Sequence, residues 1–395
     1  MIYSIKNVNT TFVKINKYMK FKYSFISIII GLLFILNSCN STIKNNKNED
    51  NIVNKVHIKY AKGFSIQHFK DYTKLIIKTP YPNSKEIFEF KLTTKKTSKS
   101  LNTIQIPIKS LVVTSTTHIP MLELLNEEDK LIGFPNTKYI SSKKTRQRID
   151  EGFIKDLGNE EQINTELLLN LHPEIVVGFT LNASNKMFTT IEKLGIPVLF
   201  NGDWFEETPL GRAEWIKFFG VLFDKEKLAD SIFNNIKESY LKAKNIALKV
   251  TKKPTVISGG LFKDIWNLPA GNSFEATFLA DANSDYLYKN TQGKGSLSLN
   301  IENVFAKGKD ASIWISPSFY TSLEQLKNAN DLYSKFKAFK TKQIYTYVNK
   351  KGATGGILYF ELAPAHPDLV LKDLIKITHP TLLPDYKLTF FDKLK

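Results

Sequence analysis

Cysteine is almost missing from this chain: Cys39 is the only one in 395 residues. A lone thiol cannot close an internal disulfide, so the fold is expected to stand without cross-links. Histidine is sparse as well. His57, His68, His118, His172, His366 and His379 are dispersed and form no HExxH-type pair, so a zinc site built from protein ligands is not expected. No Gly-x-Ser-x-Gly nucleophile turn occurs, and Gly293-Lys294-Gly295 lacks the rest of a phosphate loop. The apolar stretch Phe25 to Leu36 runs for only about 12 residues, too few to span a bilayer. Basic residues outnumber acidic ones, 55 to 38, for a formal charge of +17. The lysines are scattered and no binding motif accompanies them, so nucleic acid is not an expected partner. An excess of positive charge instead suits anionic ligands or a phospholipid surface, and much of it is a solvated exterior.

What is present begins with an address. Basic Met19-Lys20-Phe21-Lys22 precedes the apolar stretch, which ends in Leu36-Asn37-Ser38-Cys39. That order describes a signal peptide over residues 1–38. Met19 reads as the natural start, with Met1 to Tyr18 either an extended leading region or a mis-assigned start. Leu36 to Cys39 resembles a bacterial lipobox, whose cysteine is lipidated and becomes the first mature residue; a plain secretory signal with a chance cysteine is the alternative. The expected location is outside the cytoplasm, in the periplasm or at the cell surface, with Cys39 as lipid anchor. Removing residues 1–38 takes away five lysines and no acids, leaving +12. Residues 39–54, rich in Asn, Lys and Ser, read as a flexible tether.

The mature length suits two cores. Residues 55–100 carry short β-prone segments around Phe64 to Gln67, Lys74 to Lys78 and Ile87 to Leu92, with Tyr81-Pro82-Asn83-Ser84 as a turn, and read as a small antiparallel preface. Residues 101–208 alternate strands and helices. Leu111-Val112-Val113, Leu131 to Phe134, Ile175 to Gly178 and Val198 to Phe200 have the composition of buried strands, and Lys143 to Arg148 reads as a basic loop. Residues 251–395 alternate in the same way, so the expected class is α/β with a parallel sheet in each lobe. Between them, residues 209–250 hold helices. From Asp224 to Lys249 the apolar residues Leu228, Ile232, Phe233, Ile236, Tyr240, Ala243 and Ala247 fall in three- and four-residue steps. Asp224 is placed as N-cap and Pro254 as the stop, giving one stiff rod of roughly 40 Å joining the two lobes.

One pattern repeats across the lobes. Asn164-Thr165-Glu166 opens a helix that leads to the strand Ile175 to Gly178, and Asn300-Ile301-Glu302 opens one that leads to Ser312 to Ile315. Read alone, these are two ordinary first-turn glutamates favoured by the helix dipole.

These stretches, with Leu111 to Leu125, Leu210-Gly211-Arg212-Ala213-Glu214-Trp215 and Gly271-Asn272-Ser273-Phe274, resemble the substrate-binding lipoproteins of bacterial ABC importers that take ferric siderophores, haem and vitamin B12. The resemblance covers roughly Ile106 to Ile377. It implies two Rossmann-like lobes joined by one rigid helix, a cleft between them, no cofactor of the protein's own, and a monomer that delivers cargo to a membrane permease. It implies that Glu166 and Glu302 pair with permease arginines. Phe179 and Thr180 match a cleft position of the relatives. Loops at strand ends nominate Thr116, Thr117, His118, Tyr139, Arg146 and Arg148 in the first lobe, and Phe262, Trp266, Asn272 and Ser273 in the second. Aromatics suit a large ring or a catechol, and arginines suit an anionic chelate. Relatives that bind vitamin B12 carry rim tryptophans near the positions of Glu160 and Ser296, which speaks against B12 here. An exported hydrolase would instead need paired carboxylates in the cleft, and a surface adhesion protein an exposed apolar patch.

Overall fold

The computed structural model describes residues 52–96, 98, 100–159, 162–180 and 185–395, which belong to one packed unit. The signal segment, Cys39 and most of the tether lie outside the described residues. Among the described residues no helix is long and apolar enough to cross a membrane.

The preface is a five-stranded sheet in the order Asn54–Lys55, Phe64–His68, Thr73–Ile77, Phe88–Thr93, Thr103–Gln105. Its first three pairings are antiparallel, as the alternating pattern requires. Ile66, Leu75 and Phe90 align across three strands, as do Phe64, Ile77 and Phe88, and this face joins the core of the first lobe. Thr103–Gln105, expected inside the first lobe, pairs parallel with Phe88–Thr93 and belongs to the preface instead. Asn83 takes the left-handed conformation in the expected turn, closed by Ser84 N–H donating to Tyr81 O.

The first lobe is an all-parallel sheet in the order Val198–Phe200, Ile175–Gly178, Leu111–Val113, Leu131–Phe134, Lys155–Asp156. Leu111, Val112 and Val113 are fully buried, which explains their unbroken apolar run. Lys143 to Arg148 is not a loop: Lys143–Asp150 is a helix in which Arg146 Nε pairs with Asp150 at 3.2 Å, one turn on. The second lobe orders its strands Asp285–Tyr286, Thr255–Ser258, Ile313–Ile315, Ile344–Thr346, Asp392–Lys393, parallel except for the last. A three-stranded antiparallel sheet of Gly260–Phe262, Ile265–Pro269 and Ser296–Leu299 is appended to it.

The joining helix runs Glu226–Ala247, about 33 Å at 1.5 Å per residue. Its buried residues are Ala229, Phe233, Ile236, Tyr240, Ala243 and Ala247, a strict alternation of four- and three-residue steps. The first three lie in the core of lobe one and the last three in the core of lobe two. One stripe therefore serves two cores in succession. Leu228, expected on the stripe, is 37% exposed, and Ile232 lies at its edge. Asp224 is not the N-cap. It sits at φ 56°, where it turns the chain out of the preceding helix, and Lys225 occupies the cap position. Nor does Pro254 stop the helix. Asn283 Nδ2 donates to Ala247 O at 2.9 Å and Val250 O at 2.7 Å, so a side chain from lobe two satisfies the open carbonyls. Before the joining helix come two shorter helices, Pro209–Glu214 and Ile216–Leu222, with Trp215 fully buried at the break.

Candidate functional site: the cleft between the lobes

In each sheet the order of strands reverses around the first strand of its lobe, and the loops leaving such a reversal diverge and open a crevice. In lobe one these are the loops after Leu111–Val113 and Ile175–Gly178. Thr114 Oγ1 accepts from Phe179 N–H at 3.3 Å, tying them together. A cavity of about 280 Å³ opens there, lined on one side by Thr114, Ser115, Thr116, Tyr139 and Phe179 and on the other by Gly356, Ile357, Phe360 and Glu361 of lobe two. Two of its aromatic rings are half solvent-exposed, Tyr139 at 50% and Phe360 at 47%. Phe360 packs edge-on against Tyr347, which stacks on Tyr359 at 4.6 Å.

The expected site residues divide. Thr116, Tyr139 and Phe179 line the cavity. Thr117 lies beside them and donates its hydroxyl to buried Asp203, while Thr180 is buried. His118 is a core residue: it is fully buried, packs against Phe219 with ring centroids 5.6 Å apart, and neither ring nitrogen has a hydrogen-bond partner. Burial without a partner drives its pKa down to about 3, so it is neutral. The arginines of the following helix are committed elsewhere. Arg146 donates to Thr137 O at 2.8 Å, and Arg148 donates to Asp129 O at 3.1 Å and covers the Phe153 ring. In lobe two, Trp266 is fully buried, stacks on Trp314 at 5.2 Å and donates Nε1–H to Ser258 O, so it is core. Ser273 is the N-cap of Phe274–Asp281, accepting from Ala276 N–H, and Asn272 is exposed in the turn before it with its N–H given to Gly293 O. Phe262 is 62% exposed on the hairpin that follows Thr255–Ser258, and Phe319, 64% exposed, follows Ile313–Ile315. Both occupy the strand-end edge of the second lobe.

Two groups of residues were missed by sequence reasoning. The first bridges the lobes at Arg212, one of three arginines in the chain. Its guanidinium lies 3.7 Å from the Phe274 ring and donates to Trp204 O at 3.0 Å. Asp203 of lobe one and Glu275 of lobe two both feel its charge. Burial pushes Asp203 up to about 6, against the hydrogen bond from Thr117 and the charge of Arg212. Burial likewise raises Glu275, which lines a narrow space with Ser316, Tyr347 and Tyr359. Arg212 is the chemically distinctive member of the stretch Leu210 to Trp215. The second missed group is the loop and helix around Gly352 to Leu362, which form the second wall of the cleft. Their signal was Gly352-Ala353-Thr354-Gly355-Gly356 after a strand. The glycines are needed because a Cβ at Gly352 or Gly356 would come within 2.7 or 2.3 Å of the Ser141 side chain of lobe one.

The repeated glutamates sit alike in the two lobes. Asn164 accepts from Leu167 N–H and Asn300 from Asn303 N–H, each capping its helix, and Glu166 and Glu302 are exposed in the first turns.

Comparison with known proteins agrees with this architecture. An uncharacterized lipoprotein of Methanocaldococcus jannaschii is 26% identical over 388 residues, covering 91% of this chain and 90% of its own length. The fold is similar to a possible iron-binding, periplasmic solute-binding protein of Staphylococcus epidermidis, with TM-score 0.53 and 17% identity over 69% of this chain and 98% of that one. It is also similar to the periplasmic haem-binding protein HutB of Vibrio cholerae, with TM-score 0.53 and 14% identity over 67% and 99%. Residues 111–350 match the periplasmic binding protein family, so this chain, with two lobes, a shared helix and an inter-lobe cleft, belongs to that family of substrate-binding proteins rather than to an enzyme family.

Proposed function

We propose that this protein captures an iron complex such as a ferric siderophore, or a related macrocycle such as haem, between its lobes and delivers it to the permease of an ABC importer. The aromatic lining of the cleft carries the reading. Tyr139 and Phe179 face Ile357 and Phe360 across a cavity contributed by both lobes, a surface suited to flat or catechol-bearing rings. Arg212 and the acids near it lie between the lobes, and one of them, Asp203, accepts from Thr117, the neighbour of cavity-lining Thr116. The lobes need no flexible strand hinge: the continuous helix limits their relative motion, so closure is small. Exposed Glu166 and Glu302 then seat the loaded protein on permease arginines, and Cys39 holds it at the membrane as a lipid-anchored monomer.

The test is a titration of purified protein with ferric siderophores, haem and cobalamin, read by tryptophan fluorescence. All four tryptophans, Trp204, Trp215, Trp266 and Trp314, report on a cargo that absorbs where they emit, because energy transfer does not require contact. Saturable quenching, and a Kd raised about tenfold by Phe179→Ala, are expected. No saturable response to any iron complex or macrocycle would sink the reading.

A further inference from the structure

The basic charge of this chain is spread unevenly. Residues 55–105, the preface with its fifth strand, hold eleven lysines and three acids, a net charge of +8, whereas residues 106–395 carry +4. Within the preface the surplus gathers at one end. The hairpin between Phe64–His68 and Thr73–Ile77 turns at Phe69-Lys70-Asp71-Tyr72, where Phe69 N–H donates to Tyr72 O at 2.8 Å and the two rings stack at 4.6 Å. The strand Phe88–Thr93 runs out at the same end, because Leu92 pairs with Thr73, and exposed Lys95 and Lys96 follow it. Lys74 and Lys91 stand directly opposite each other on the face turned away from the core. Like charges in that register cost a sheet stability, so folding alone does not account for them. Asp71 is matched by Lys95 at 2.7 Å and Glu89 by Lys74 at 3.1 Å. Lys55, Lys70, Lys91 and Lys96 are exposed and form no ion pair among the described residues. The hydrogen bond from Lys95, and then the charges of Lys95, Lys70 and Lys91, hold Asp71 below its ordinary value, which places three lysines around one carboxylate.

The chain also enters the sheet at this end. Asn54 pairs with His68, Val53 N–H donates to His68 O at 2.9 Å, and Ile52 and Val53 are 52% and 70% exposed. Fifteen residues separate Asn54 from Cys39, a length that reaches at most about 50 Å. Aliphatic residues, a stacked aromatic pair and unmatched lysines thus meet where an anchored chain would join its folded body. That combination suits a bilayer surface: lysines meet anionic headgroups, and the rings and aliphatic side chains enter the interfacial layer.

We propose that this end of the preface rests on an anionic phospholipid surface and sets how the anchored protein stands on its membrane. The preface is no loose appendage. His68 Nε2 lies 3.0 Å from Glu226 at the start of the joining helix, and Glu206 of the linking segment accepts the N–H groups of Lys62 and Gly63. A contact made by the preface therefore orients both lobes. The proposal takes the Cys39 anchor from the proposed function, but its test uses neither anchor nor cargo.

Co-sedimentation with lipid vesicles tests this, using the chain from residue 39 onward with Cys39→Ser, which keeps the whole packed unit. It should bind vesicles of three parts phosphatidylcholine to one part phosphatidylglycerol in about 50 mM salt and ignore pure phosphatidylcholine. In about 500 mM salt the bound-to-free ratio should fall at least about tenfold. Lys70→Glu combined with Lys91→Glu and Lys96→Glu should lower it at least about tenfold as well. Lys91→Glu sets a carboxylate opposite Lys74, so the melting temperature of this variant should hold, and lost binding is then not lost folding. Lys242→Glu with Lys249→Glu and Lys253→Glu changes the net charge equally, at exposed lysines around the other end of the joining helix, and should alter the ratio less than about threefold. No binding to the anionic vesicles, equal binding to both kinds of vesicle, or equal losses in the two triple variants overturns the proposal. Failure of every cargo in the fluorescence titration would leave this result untouched, so the two readings fail separately.

Discussion

Among single residues, His118 shows how a polar side chain that looks functional by type can be structural by position. Its ring is sealed against Phe219 with no partner for either nitrogen, so charging it costs folding free energy. The sign follows from the depressed pKa. His118 supports the folded state above its ordinary value of 6.5, and that support drains away as the pH falls toward about 3. His118→Leu should therefore raise stability by about 1–2 kcal/mol at neutral pH and flatten the acid limb of the melting temperature against pH. Differential scanning calorimetry between pH 4 and 8 decides the matter, and an unchanged acid limb would mean that the imidazole has a partner in solution. Trp266 and Phe262 make the same contrast. They are four residues apart on one hairpin, yet one fills the core and the other faces solvent.

Elements here are held by buried acids as much as by apolar contact. Glu214 is fully buried and accepts the N–H groups of Lys59, Tyr60 and Ala61, while Glu206 accepts those of Lys62 and Gly63. Two carboxylates on the linking segment thus strap the preface down, and Lys217, 3.2 Å from Glu214, offsets part of the buried charge. Tyr60 on this strap touches both cores, which places the preface across the junction of the lobes. Glu214→Ala would leave three backbone donors without an acceptor and should cost about 3–5 kcal/mol. Proteolysis should then cut first between residues 52 and 63; cleavage elsewhere, with an unshifted melting temperature, would show that the preface is held by its apolar face alone.

For the molecule as a whole, the joining helix decides the mechanics. Lobe one is anchored through Phe233. Lobe two is anchored through Tyr240, whose hydroxyl donates to Asp281 at 2.6 Å, and through Ser239, which donates to Asp368 at 2.8 Å. Under the proposed function, a rigid carrier of this kind would present Glu166 and Glu302 to the permease at fixed positions. Glu166→Lys with Glu302→Lys should abolish uptake through the permease while leaving cargo Kd within about twofold, since both side chains lie outside the cleft lining. Measuring uptake and Kd in the same preparation checks this, and a lost Kd would assign the glutamates to cargo instead.

Much of this architecture was readable from local pattern. The apolar steps of the joining helix, the buried strand runs, the two Asn-capped repeats and the alternating preface each follow from a periodicity that burial imposes on neighbouring residues. The caps of the joining helix were not readable, because Asn283 closes its end from 36 residues away along the chain. The cleft was only half readable. Tyr139 and Phe179 follow strands and so announce themselves, but its opposite wall depends on which residues of lobe two meet Ser141, a contact spanning 220 positions. Which aromatic becomes core, which arginine is spent on a carbonyl, and which glutamate bridges the lobes are decided by close packing between distant segments, and one chain read in order contains no record of those distances.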